Sequence, residues 1–179
     1  MPTIRKANAY SKRKVTPYTR KSKRKNRAYI KVIPPSCIIK YEMGNIIGFA
    51  EGKFPYHLKL VANQNIQIRD GAIEACRQYV NRILEKSLAK QYFYRIAIHP
   101  HHIERENKML TGAGSDRMQT GMQLSFGKCM DRAAIVKKGS TIFLVALADK
   151  KGELFARALL KKIESKLPCT TRFVSEVVK

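Results

Sequence analysis

His99, His101 and His102 are three of the chain's four histidines, and Glu104 stands two residues beyond them. Imidazole is a frequent metal ligand and proton carrier near neutral pH. Alternate residues at a strand end share a face, so His99 and His101 could reach one ion. No nearby cysteine or aspartate completes a ligand set, and the expectation is RNA-facing or packed histidines with no metal. Ser115-Asp116 lies close by, but no nucleophile elbow or oxyanion donor accompanies it. Gly112-Ala113-Gly114 begins like a nucleotide loop. GxGxxG would need glycine at 117, where Arg117 stands, and GxxxxGK[ST] is absent. The cysteines, Cys37, Cys76, Cys129 and Cys169, are far apart, whereas zinc ligands usually come two to four residues apart. Reduced thiols are expected, with Cys76 packed in the core. No catalytic residue and no cofactor is assigned.

What remains is chemistry toward a polyanion. The chain has 179 residues, 36 Lys and Arg against 13 Asp and Glu, and a formal net charge of +23. Such a surplus is best explained by a partner that neutralises it. Nucleic acid fits, because each phosphate met by a cation releases a condensed counterion. The longest apolar run, Ile142 to Ala148, is far short of the roughly 20 residues that span a bilayer. The N-terminus has no secretory h-region, so no membrane role is expected.

Two segments concentrate the cations. Residues 1–28 read as a basic RNA-binding arm. Arg5, Lys6, Lys12, Arg13, Lys14, Arg20, Lys21, Lys23, Arg24, Lys25 and Arg27 lie there, and no acid precedes Glu42. Tyr10 and Tyr18 among them could stack on bases. The other segment is glycine-rich, 107–128, inside the stretch HPHHIERENKMLTGAGSDRMQTGMQLSFGK from His99 to Lys128. Gly112, Gly114, Gly121 and Gly127 permit positive φ and close backbone approach. Arg105, Lys108, Arg117 and Lys128 surround them. Spaced cations on a glycine strap can follow an irregular RNA backbone and offer amides to phosphates.

Residues 29–179 must fold to position that strap. Strands are expected at Tyr29–Ile33 and Cys37–Glu42, with a turn at Met43-Gly44-Asn45 and a loop from Gly48 to Pro55. Tyr56 to Ala62 alternates as a half-buried strand. Asp70 could cap a helix from about Arg69 to Ala89. Its stripe is Ala72, Cys76, Tyr79, Val80, Ile83 and Leu88, with Arg69, Arg77, Gln78, Arg82 and Lys86 elsewhere. Further strands are expected at Gln91–His99, Arg132–Lys137, Thr141–Leu147 and Thr170–Val177, with a tight turn at Gly139-Ser140. Asp149 should cap a second helix carrying Leu154, Phe155, Ala158, Leu159, Ile163 and Leu167, stopped by Pro168. The order predicts an α+β domain: a mixed, mainly antiparallel sheet with two amphipathic helices on one side, plus the basic extension.

The stretches HPHHIERENKML, GAGSDRMQTGM and SFGK resemble the archaeal and eukaryotic large-subunit ribosomal protein ten-e family, the counterpart of bacterial large-subunit protein sixteen. The basic tyrosine-containing N-terminus, the helix beginning Gly71-Ala-Ile-Glu-Ala-Cys and the strand entry Ser165-Lys-Leu-Pro-Cys-Thr-Thr-Arg fit it too, so the resemblance covers nearly the whole chain. It implies a two-layer, α/β-hammerhead-like domain set in large-subunit ribosomal RNA, in the cytoplasm. It places the domain by the aminoacyl-tRNA site, with the glycine segment directed towards the peptidyl transferase centre. Acceptor-site tRNA, neighbouring ribosomal proteins and assembly factors are the implied partners. Arg105, Lys108, Gly112, Gly114, Asp116, Arg117, Gln119, Thr120, Gly121 and Lys128 fall on the family's loop motif. Ser115 stands where the family usually has alanine, Gln123 where a basic residue is common, and Cys129-Met130-Asp131 where a proline-containing turn is usual.

Overall fold

A computed structural model describes residues 8–11, 30, 33–89, 91–106, 112–114 and 127–178. Its strands are β1 (Glu42–Gly44), β2 (Tyr56–Ala62), β3 (Ile66–Arg69), β4 (Tyr92–Ile96), β5 (His102–Glu106), β6 (Lys128–Val136), β7 (Thr141–Leu147) and β8 (Thr171–Val177). Its helices are α1 (Asn8–Ser11), α2 (Ile46–Ala50), α3 (Asp70–Leu88) and α4 (Lys150–Ile163), with a 3-10 turn at Glu164–Lys166. The strands form a five-stranded sheet in the order β1-β4-β7-β2-β8 and a three-stranded sheet in the order β3-β6-β5. Each described pairing is antiparallel, so the parallel component expected of a mixed sheet is not among them.

Strand β7 shows why the sheet is layered. Phe143, Val145 and Leu147 join the main core with Leu58, Leu60, Tyr94 and Ile96 and with the buried faces of α3 and α4. The alternate residues Leu144 and Ala146 face the other way, into a smaller cluster with Phe54 and Phe93. Phe49 of α2 stacks on Phe93 there, ring centroids 4.0 Å apart. The two long helices thus share one face, as expected, and the short α2 covers part of the other.

Several expectations are corrected. Cys37–Glu42 is not a strand; β1 starts at Glu42. The Cys37 amide donates to Asp70 Oδ2 at 2.9 Å instead of to a ladder, and the Ile38 amide donates to Ser36 Oγ. The loop expected from Gly48 to Pro55 begins as helix, since α2 runs to Ala50; Asn45 Oδ1 accepts from the Gly48 amide at 2.8 Å and caps it. Gly44 takes φ +85°, and an added Cβ would meet the Tyr92 carbonyl oxygen at 2.4 Å, so glycine is demanded where β1 meets β4. The Tyr29–Ile33 expectation lies largely outside the described residues.

Asp70 is not a cap. Arg69 occupies that position, and Asp70 is the first helical residue, accepting from the Gly71 amide at 2.7 Å through Oδ1. In α3 the buried apolar positions are Ile73, Cys76, Val80 and Leu84, with Ala72, Tyr79, Ile83 and Leu88 half-buried beside them. Asp149 does precede α4, without a side-chain capping bond. The face of α4 is rotated from the expected one. Gly152, Ala156, Leu159, Leu160 and Ile163 are buried, whereas Leu154 is 62% and Phe155 38% exposed and Ala158 is exposed. Small residues bring the helix close to the sheet, Gly152 against the Leu147 side chain, and the bulky ones are left outside.

Arg77, expected on an open face, is held instead. Its Nε and Nη2 donate to the Glu74 carboxylate at 2.7 and 2.6 Å, and Gln78 Nε2 donates to the same group at 3.0 Å. These hydrogen bonds, Arg77's above all, hold the Glu74 carboxyl below its ordinary range against the opposing effect of burial. A carboxyl depressed on folding contributes stability above its unfolded value of about 4.3, and that contribution is lost as pH falls through the folded value. Glu74→Gln is therefore expected to lower stability at neutral pH and to lose less on acidification than wild type. Denaturant unfolding at pH steps below neutrality checks this; parallel curves for the two proteins contradict it.

Candidate nucleic-acid interface

The glycine-rich segment connects β5 to β6, neighbours in the three-stranded sheet. Their register runs from His102 opposite Ala133 to Glu106 opposite Lys128, with an irregularity at Glu104/Arg105. Strand β5 was not anticipated, and β6 starts at Lys128 instead of Arg132, so Cys129-Met130-Asp131 is strand and not turn. The strap therefore leaves and re-enters the fold side by side, from a two-stranded ribbon. Arg105 closes the base of this ribbon: its Nε and Nη2 donate to the Gly127 carbonyl at 3.2 and 3.1 Å.

Within the strap, Gly112 and Gly114 take φ +134° and +82°, and an added Cβ would meet open space at both. Backbone conformation, not crowding, selects glycine here. Lys128 is exposed at the start of β6. Lys108, Arg117, Gln119, Thr120 and Gly121 lie outside the described residues, as do the arm cations Arg5, Lys6, Arg13, Lys14, Arg20, Lys21, Lys23, Arg24, Lys25 and Arg27.

One piece of the arm, α1, packs against the fold. Tyr10, on α1, is 7% exposed, and its carbonyl accepts from Gln67 Nε2 of β3 at 2.6 Å. The Arg69 guanidinium lies over its ring, 4.7 Å from the centroid. Tyr10 is thus spent on the core instead of offering a ring to a base. Nothing in the sequence separates it from Tyr18, since its partner surface comes from a strand too short and too weakly punctuated to be read.

Among the described residues no histidine joins a group of three or more potential metal ligands. His99 and His101 are exposed, their ring centroids 5.9 Å apart, and His99 tilts against Tyr41 at 4.4 Å; His102 is buried on β5. The cysteines described form no disulfide, and Cys76 is fully buried in the core. Burial raises its thiol to about 11, so it packs as an inert apolar group. Behind the ribbon base, Glu104 is 3% exposed and pairs with Arg69 Nε at 2.8 Å. Its carboxyl is raised, by burial first, with Arg69 opposing. Asp131, across the ladder from Glu104, is pushed up to about 6 by burial and then by its hydrogen bond with Asp70. Among the described residues no helix is long and apolar enough to cross a membrane.

Comparison with known proteins bears on the same segments. A family model described as Ribosomal protein L16p/L10e matches residues 13–174. The chain is 40% identical over 174 residues to the large ribosomal subunit protein uL16 of Thermofilum pendens, covering 97% of each chain. It is 38% identical over 180 residues to that of Nanoarchaeum equitans, covering 99% of this chain and 95% of the relative. With that of Pyrobaculum calidifontis the identity is 41% over 175 residues, 96% and 93% of the two chains.

Proposed function

Since the chain belongs to the ribosomal protein L16p/L10e family, we propose that it is a structural constituent of the large ribosomal subunit, binding ribosomal RNA beside the aminoacyl-tRNA site with its glycine-rich strap directed towards the peptidyl transferase centre. It is not an enzyme; peptide-bond chemistry belongs to the RNA, and the protein positions RNA and acceptor-site tRNA. Neighbouring ribosomal proteins and assembly factors complete its surroundings. The observation that carries this reading is the β5–β6 ribbon. It delivers the family's loop motif from one clasped base, on a chain whose net charge is +23. A rival reading as an RNA-processing enzyme would need a nucleophile and a base in reach of each other, and the described residues of the strap and ribbon present no such pair.

The arm is the electrostatic part of this reading, and salt dependence tests it. Affinity for a duplex falls by about 0.9 log units per decade of salt for each phosphate neutralised. Changing Lys21, Lys23, Arg24, Lys25 and Arg27 together to glutamine spares the packing of Tyr10. The variant is expected to bind ribosomal RNA fragments with a shallower slope while keeping its thermal transition. An unchanged slope would remove the arm from the interface.

A further inference from the structure

The segment before β1, the first turn of α3 and β6 meet where several potential metal ligands converge. Cys37 Sγ and carboxylate oxygens of Asp70 and Asp131 all lie within 4.8 Å of one another. They come from three separate elements: the segment before β1, the first turn of α3, and β6. Asp70 is fully buried. Its two oxygens accept from the Cys37 and Gly71 amides, which fixes both the carboxylate and the thiol-bearing residue. Glu104 stands opposite Asp131 on β5 and gives Oε2 to Arg69. Its other oxygen, Oε1, is buried without a hydrogen-bond partner, on a residue only 3% exposed. A buried carboxylate oxygen left unpaired is costly. Arg132, on the same strand as Asp131, has its Nε on the Pro34 carbonyl.

Cys37, Asp70 and Asp131 offer three ligand atoms within reach of one ion. Burial and then Asp70 raise the free Cys37 thiol to about 11, so its proton is released when a metal binds; a sulfur donor excludes magnesium and calcium, which take oxygen ligands. Sulfur with carboxylate oxygens suits a borderline-soft ion that accepts four donors. We propose that Cys37, Asp70 and Asp131 bind one divalent ion of the zinc class, with Glu104 as the adjoining carboxylate that completes or orients the shell. The ion ties the segment that follows the arm to the N-terminus of α3 and to the strand that receives the strap. The donors are far apart in sequence, so the spacing rule that led to the expectation of no metal could not register them. This inference does not depend on the ribosomal reading.

The test uses the full-length chain, reduced and stripped by chelator, titrated with cobalt(II) and then with zinc(II). One equivalent of cobalt is expected, with a thiolate-to-cobalt charge-transfer band that zinc bleaches. Cys37→Ser should abolish the band, and Asp131→Asn should weaken binding at least tenfold. Loss of an outer-shell partner typically costs about 10–100-fold in affinity, so Glu104→Gln should fall in that range or beyond. Cys169→Ser and His99→Asn should bind as wild type, and circular dichroism confirms that each variant is folded. No stoichiometric cobalt or zinc in the wild type would overturn the proposal. So would a band that survives Cys37→Ser, or magnesium competing on equal terms with zinc.

Discussion

Phe143→Ala is expected to cost roughly 3–5 kcal/mol of folding stability, the range for large-to-small changes at fully buried aromatic positions. Phe143 has no exposed surface and lies on the central strand, in register with Leu60 on one side and Ile96 on the other. Its ring tilts against that of Tyr94, centroids 5.7 Å apart. Neighbours on both flanking strands are held by ladders, so the cavity cannot collapse fully. Denaturant unfolding should show a lowered midpoint with an unchanged slope. Phe155→Ala is the informative comparison. Its side chain is 38% exposed on the outer face of α4, and surface changes usually stay within about 0.5 kcal/mol. If both substitutions cost the same, α4 presents the opposite face to the sheet.

Arg117→Ala is expected to separate function from folding. Arg117 stands between Gly114 and Gly121 in the family motif, and its role is part of the proposed reading. A charged hydrogen bond to RNA contributes about 1.5–3 kcal/mol, so its loss should slow tRNA accommodation or a late maturation step by roughly 10–100-fold. The domain should remain folded and still enter the subunit, because arm and core keep their own contacts. Arg82→Ala, exposed on α3, is the proper control. Arg77 is not, since removing it strands the buried Glu74 carboxylate. Wild-type peptide transfer by Arg117→Ala, or an unfolded variant, would remove the strap from its functional role.

The elements that could be read from sequence are those whose local pattern and tertiary surroundings agree. Strands β2 and β7 have the expected bounds, one from strict alternation and the other from an unbroken apolar run. Strand β8 and helix α3 came within a residue or two. The failures have separate causes. In α4, large apolar residues marked the wrong stripe, because Gly152 and Ala156 earn burial by closeness instead of size. Strands β3 and β5 are short and lead directly into a helix or the strap, so no turn residue punctuates them. Helix α2 is capped by Asn45, a residue that reads equally well as part of a turn. At the interface, the glycines and the cations of the strap were visible as residue types, and the family resemblance gave them a motif. The Arg105–Gly127 clasp was not visible, since it joins β5 to the residue just before β6, two strands whose pairing the sequence left unread. The burial of Tyr10 and the Cys37, Asp70 and Asp131 cluster were hidden for the same reason: long-range register decides them.

The most direct measurement is the copy number of this chain in large ribosomal subunits washed in high salt. Quantitative mass spectrometry against other subunit proteins should give one copy per subunit, retained through a wash that strips loosely bound factors. A chain that washes away to well below one copy, or that is recovered free and turns over an RNA substrate, would contradict a structural role.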